Sequence, residues 1–361
     1  MAGVWGVNTR WGVSTDDLAL PRRVGYNQAM PASENWNMLG HDWAVQLLSE
    51  HVSRNQPRHA YLITGPTGVG RRTLALHMAQ ALNCPQPIAP GQPCLECRTC
   101  QAIERMQYPD LAVVEAEQEG GTLKVEQIRE LQRSLSLAPY QGRYRIALLL
   151  RFEEANQNAA NALLKTLEEP PPQVVILLTA QNVESLLPTI VSRCEVLRLR
   201  PLSLERTQTG LQEGGRLEPD QALLLAHVTG GRPGAALNLS QQPELMEQRQ
   251  TALDDHARLL RASRVERFSY AEALAKDRDS IRGILLIWIS LWRDVLLQSA
   301  GTTTPLANLD RAEEVAFLSQ RVGLEAAQAA LTALNRTLDL LDKNANTRLA
   351  LEVLMLDLPK I

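Results

Sequence analysis

Gly65-Pro66-Thr67-Gly68-Val69-Gly70-Arg71-Arg72-Thr73 follows an apolar run ending at Ile63 and precedes a helical pattern beginning near Leu74. Strand, glycine-rich turn and helix in that order make a phosphate cradle, because backbone N–H groups and the helix N-terminus converge on one anion. The working pattern is Gly, four residues, Gly, Lys, then Ser or Thr. Gly65, Gly68 and Gly70 supply the turn, but Arg71 stands at the lysine position and Arg72 at the position of the magnesium-binding hydroxyl. Thr73 offers a hydroxyl one position late. The expectation is a degenerate P-loop that binds ATP weakly or not at all.

Outward from the loop, strand and helix patterns alternate. Asp42–Val52 has helical spacing, and His59-Ala-Tyr-Leu-Ile-Thr64 reads as the buried strand feeding the loop. Residues 110–115 and 122–125 read as short strands around Gly120-Gly121, and Val125–Leu135 as an amphipathic helix with Ile128, Leu131 and Leu135 inward. Arg143–Leu150 carries the run IALLL expected of a central parallel strand. In a P-loop ATPase that strand ends in Asp-Glu, whereas here Leu150-Arg151-Phe152-Glu153-Glu154 follows, with both glutamates read as solvated loop charges. A helix over Asn156–Glu169 is stopped by Pro170, Pro171 and Pro172. Val174–Leu178 is a further buried strand, and Ser192-Arg193-Cys194 leads into a strand over Glu195–Arg200.

This alternation predicts an α/β parallel sheet covered on both faces over residues 36–201, a small helical lid over 202–242 and an all-α C-terminal domain over 243–361. Residues 1–35 show no periodicity and read as a disordered extension or a start placed too early, with Met30 as the true beginning.

Cys84, Cys94, Cys97 and Cys100 form overlapping C-x-x-C pairs with a fourth thiol upstream, the spacing of a closed structural Zn²⁺ site. Unpaired thiols and a redox dithiol are the other readings, and a disulfide framework does not suit a reducing compartment. Zinc-ribbon binding of nucleic acid is disfavoured, because the cysteine loop offers only Arg98 and Arg105 as basic residues and little aromatic surface. The net charge of −3 likewise lacks the footprint of an autonomous nucleic-acid binder. No secretory signal is evident, and the apolar run Ile284–Trp292 is too short to span a bilayer, which points to the cytoplasm.

HAYLITGPTGVG, the four-cysteine module, NALLKTLEEPP and LLPTIVSRC occur here in the order that resembles bacterial clamp-loader subunits, over roughly residues 36–361. These are AAA+ proteins with a RecA-like domain, a lid and a collar. They use ATP to place a ring-shaped sliding clamp on primed DNA. The family has hydrolysing γ/τ members and a δ′ member that is usually non-hydrolysing, and the chain looks like the latter. Aligned on NALLKTLEEPP, the family's Asp-Glu pair falls on Leu150 and Arg151. The resemblance implies that Arg193 of Ser-Arg-Cys is an arginine finger for the ATP of an adjacent γ/τ subunit. It implies δ as a further partner, contact with the clamp and primer-template DNA through the complex, and a collar that assembles with partners. Arg232, beside Pro233, is a candidate for the family's second sensor arginine. The alternative is an ATP-binding γ/τ-like motor subunit of weak activity.

Overall fold

A computed structural model describes residues 35–361 except 119, 216 and 344, and the side chains of 278 and 279 are likewise outside the description. The expected extension over residues 1–35, with Met30, lies outside the described residues apart from Asn35. The first region runs α1 (Asp42–Ser53), β1 (Ala60–Thr64), α2 (Arg71–Asn83), α3 (Arg98–Glu104), β2 (Leu111–Val114), α4 (Val125–Leu135) and β3 (Arg145–Leu149). A 3₁₀ turn, Phe152–Glu154, then leads to α5 (Gln157–Glu168), β4 (Val174–Ala180), α6 (Pro188–Val191) and β5 (Glu195–Arg198).

The five strands form one parallel sheet in the order β2-β3-β4-β1-β5. Parallel strands need crossovers, and the intervening helices cover both faces. One face buries Leu74, Met78, Ile63, Leu148 and Leu177, and the other buries Leu62, Ile128, Leu131, Leu149 and Leu163. Burial on both sides explains why β1 and β4 read as continuous apolar runs. Asn156 caps α5 by accepting from Ala159 N at 2.8 Å.

Three sequence expectations change. Helix α2 starts at Arg71, not near Leu74, because Gly70 turns the chain at a φ of 108° and the helix begins at once. Residues 122–125 make no strand. Only Leu123 pairs, with Ala155, and Lys124 already caps α4. Glu153 and Glu154 are partly buried and bonded: Glu154 accepts from Gly120 N at 2.8 Å, and Glu153 accepts from Gln181 N at 3.3 Å.

The chain continues through α7 (Leu204–Glu213), α8 (Pro219–Val228) and α9 (Pro233–Gln241), packed around Leu211, Ala222, Leu225 and Ala236. The C-terminal region is α10 (Pro243–Arg261), α11 (Arg264–Leu274), α12 (Arg278–Ser299), α13 (Ala312–Asp342) and α14 (Thr347–Asp357). Helix α13 breaks at Gly323, whose φ of 72° favours glycine. Trp288 and Trp292 of α12 sit fully buried at the centre, their indole N–H groups donating to Ala252 O and His256 Nε2, both at 2.8 Å. No described helix is long and apolar enough to cross a membrane.

Candidate functional site

The glycine loop lies at the C-terminal edge of the sheet, between β1 and α2. Gly65, Gly68 and Gly70 all have positive φ, at 147°, 82° and 108°, so the backbone keeps a shape that L side chains rarely adopt. Arg71 is buried in the first turn of α2, whereas Arg72 and Thr73 are exposed. The loop is covered from above. Gly234 N and Ala235 N, in the first turn of α9, both donate to Gly68 O, at 2.8 and 3.2 Å. Arg232 caps the same end of α9 and donates from Nη1 to Thr67 O at 3.3 Å and from Nε to Thr229 O at 2.6 Å. Two N–H groups of a helix N-terminus that in principle attracts anions are here spent on the loop's own Gly68 carbonyl.

Two strands away on the same edge, β3 runs out into Leu150, which is buried, and Arg151, whose φ of 49° turns the chain. Thr179 Oγ1 accepts from Arg151 N at 3.0 Å. The Arg151 guanidinium lies against Glu115 at 3.3 Å and Glu154 at 3.0 Å. Sequence spacing had no means of pairing Arg151 with Glu115, which follows a different strand.

Arg193 is placed elsewhere. It precedes β5 by two residues, and Glu195 pairs with Tyr61 while Arg198 pairs with Thr64. At about 3.3 Å per residue, β5 itself puts about 10 Å between Glu195 and the level of the glycine loop, and Arg193 stands before that strand, at the opposite edge of the sheet. Its guanidinium cannot serve this chain's own loop. It is about one-third exposed and donates to Glu168 Oε1 at 2.6 Å and to Thr189 O at 2.8 Å. Glu168 is a contact that reading the sequence missed. The signal was its place in LEEPP, at the end of a helix stopped by proline.

The four cysteines come together between the end of α2 and the start of α3, their sulfurs all within 4.8 Å of one another. Cys84 and Cys94 are 3.5 Å apart, and Cys94 and Cys100 3.9 Å. A tetrahedral ion with bonds near 2.3 Å requires edges of about 3.8 Å, so the cluster fits a metal such as zinc. Cys97 N donates to Cys94 Sγ at 3.3 Å, and Cys100 N to Cys97 Sγ at 3.5 Å, which orients the sulfurs. Burial opposes ionisation of Cys94, but the N–H groups of Cys97 and Glu96 outweigh it and hold the thiol down to about 7. Trp36 Nε1 and Ser49 Oγ both reach Gly91 O in this module, at 3.0 and 3.1 Å.

Comparison with known proteins agrees with this arrangement. Residues 40–203 match the family model described as DNA polymerase III, delta subunit, and residues 243–360 match that described as DNA polymerase III, delta subunit, C terminal. DNA polymerase III subunit delta' of Pseudomonas aeruginosa is 38% identical over 258 residues, covering 69% of this chain and 75% of that protein. Subunit delta' of Bacillus subtilis is 33% identical, covering 57% of this chain and 60% of that protein. Subunit tau of Escherichia coli is 34% identical over 57% of this chain but only 32% of its own length. The chain belongs to the DNA polymerase III δ′ subunit family of clamp-loader proteins.

Proposed function

We propose that this chain is a non-hydrolysing δ′ subunit that assembles with γ/τ and δ subunits and helps load the sliding clamp onto primed DNA by presenting Arg193 to the ATP of an adjacent γ/τ subunit. The observation that carries the reading is the end of β3, where Leu150 is buried and the Arg151 guanidinium is engaged by Glu115 and Glu154. An aliphatic side chain cannot anchor magnesium, and a guanidinium cannot polarise water as a base. Arg71 at the lysine position and exposed Arg72 at the hydroxyl position support weak or absent ATP binding at Gly65, Gly68, Gly70 and Arg71. Placement of Arg193 at the far edge of the sheet supports a role in trans. A planar fork of fixed donors suits charge developing on phosphoryl oxygens.

Cys84, Cys94, Cys97 and Cys100 would hold Zn²⁺ as a structural ion, since four thiolates leave no open position for chemistry.

The purified chain is expected to show no ATP turnover above background, and steady hydrolysis by it would identify a motor subunit instead. In the reconstituted complex, Arg193→Ala is expected to leave assembly intact and slow hydrolysis at the faced site by about 10³-fold, lowering clamp loading. Loading at the normal rate would overturn the finger assignment.

A further inference from the structure

Arg193 is held at the surface by two acceptors on different elements. Nη2 donates to Glu168 Oε1 at 2.6 Å, and Nη1 donates to Thr189 O at 2.8 Å, with a longer contact to Ser192 Oγ at 3.5 Å. Glu168 is the last residue of α5, and Thr189 lies in the single turn of α6. Both holders are anchored from beneath, through buried Leu163 and Leu167 on α5 and buried Ile190 on α6.

We propose that Glu168 is a positioning residue for the arginine finger, an inference that rests on the reading of Arg193 given above. An arginine left loose in solvent loses rotamer freedom when it docks on a phosphate. One already pinned at both terminal nitrogens has lost most of that freedom before the neighbour arrives, so more of the contact is realised in the transition state. The Glu168 contact is to one nitrogen and one oxygen, not a paired fork. A guanidinium carries five N–H donors, so such a contact orients the group while leaving donors for an incoming anion. A paired fork would sequester it instead. The side chains are 34% and 51% exposed, where an ion pair contributes little to folding, which separates this role from a purely structural one.

The test is steady-state ATP hydrolysis by the complex reconstituted from full-length chains, with clamp and primed DNA present. Glu168→Ala is expected to lower kcat about three- to tenfold with KM for ATP unchanged, as for a misaligned transition-state contact. Glu168→Gln, whose amide oxygen still accepts from Nη2, is expected to recover most of the rate. In an Arg193→Ala background, Glu168→Ala should cause no further loss, because it acts only through the arginine. An unchanged or raised kcat for Glu168→Ala, an effect confined to KM, or a further loss in the double variant would overturn the proposal. A slow Arg193→Ala complex beside a normal Glu168→Ala complex sinks this inference alone. A normal Arg193→Ala complex sinks the finger reading first.

Discussion

His256 shows how a single residue ties the C-terminal region to pH. It is fully buried between Trp288 and Trp292 and accepts from Trp292 Nε1, so it is neutral in the folded chain. Burial, with the Arg267 charge adding, pushes its pKa down to about 3. Unfolded, it titrates near 6.5, so the unfolded chain binds the extra proton between those values. Its contribution is fully present above about pH 6.5 and is lost progressively as pH falls toward 3. Stability measured by tryptophan-monitored unfolding should therefore fall from pH 7 to pH 5, and His256→Gln should flatten that dependence at some loss of stability at pH 7. Asp110 shifts in the same direction as His256, so its contribution too is lost as pH falls, but here it is the charged form that the fold holds. Burial alone would raise its pKa, but the N–H groups of Tyr140, Gln141 and Gly142, with Arg145, hold it below the usual carboxylate range. This anchored loop, like the Arg193–Glu168 contact, joins residues far apart in the chain, which is why neither was legible from spacing.

At the scale of elements, the cysteine module is a cross-brace. It starts where α2 ends, its Cys97 caps α3, and Gln80 of α2 donates to Cys100 O at 2.9 Å. Trp36, fully buried in the core that α2 and α3 share, is fixed by Gly91 O of the same module. Removing zinc with a chelator, or replacing Cys97 with Ser, is expected to release Trp36 and shift tryptophan emission to longer wavelength. Loss of such a closed site from a folded domain should lower Tm by several degrees, with about one zinc per chain found by metal analysis before treatment. Unchanged emission after metal removal would count against the brace. The clustering of the four cysteines was readable from spacing alone, because a turn and one helical start bring C-x-x-C sulfurs together locally. The link to Trp36 was not, since it crosses 55 positions.

Across the whole molecule, the lid is docked on the glycine loop as well as tethered by the chain. Gly68 O takes two N–H groups of α9, Arg206 of α7 pairs with Asp42 of α1, and Leu202 N donates to Gly231 O at 2.8 Å. His227 Nδ1 lies 2.6 Å from Leu306 O, linking the lid to the C-terminal helices. A Cβ at Gly68 would sit 2.6 Å from Ala235 Cβ and 2.8 Å from Ala235 N, at a φ of 82°. Gly68→Ala is therefore expected to lift α9 off the loop, destabilise the chain by about 1–3 kcal/mol, and speed proteolysis of the segment after β5. Equal protease resistance of the variant and the parent would show that the lid is held by its other contacts.

The sequence by itself determined the alternation of strands and helices, the glycine loop and the cysteine cluster. Each of these depends on residues close together in the chain: periodicity, glycine's freedom at positive φ, and short ligand spacing. Only the tertiary structure decided that the loop is capped by α9, that Arg151 is turned toward Glu115, and that Arg193 stands at the opposite edge of the sheet beside Glu168. Strand order and register set those neighbours. The physical reason is that a parallel sheet assembles strands non-consecutively, so β1 lies between β4 and β5, and the groups that meet at its edges are chosen by packing across the whole domain.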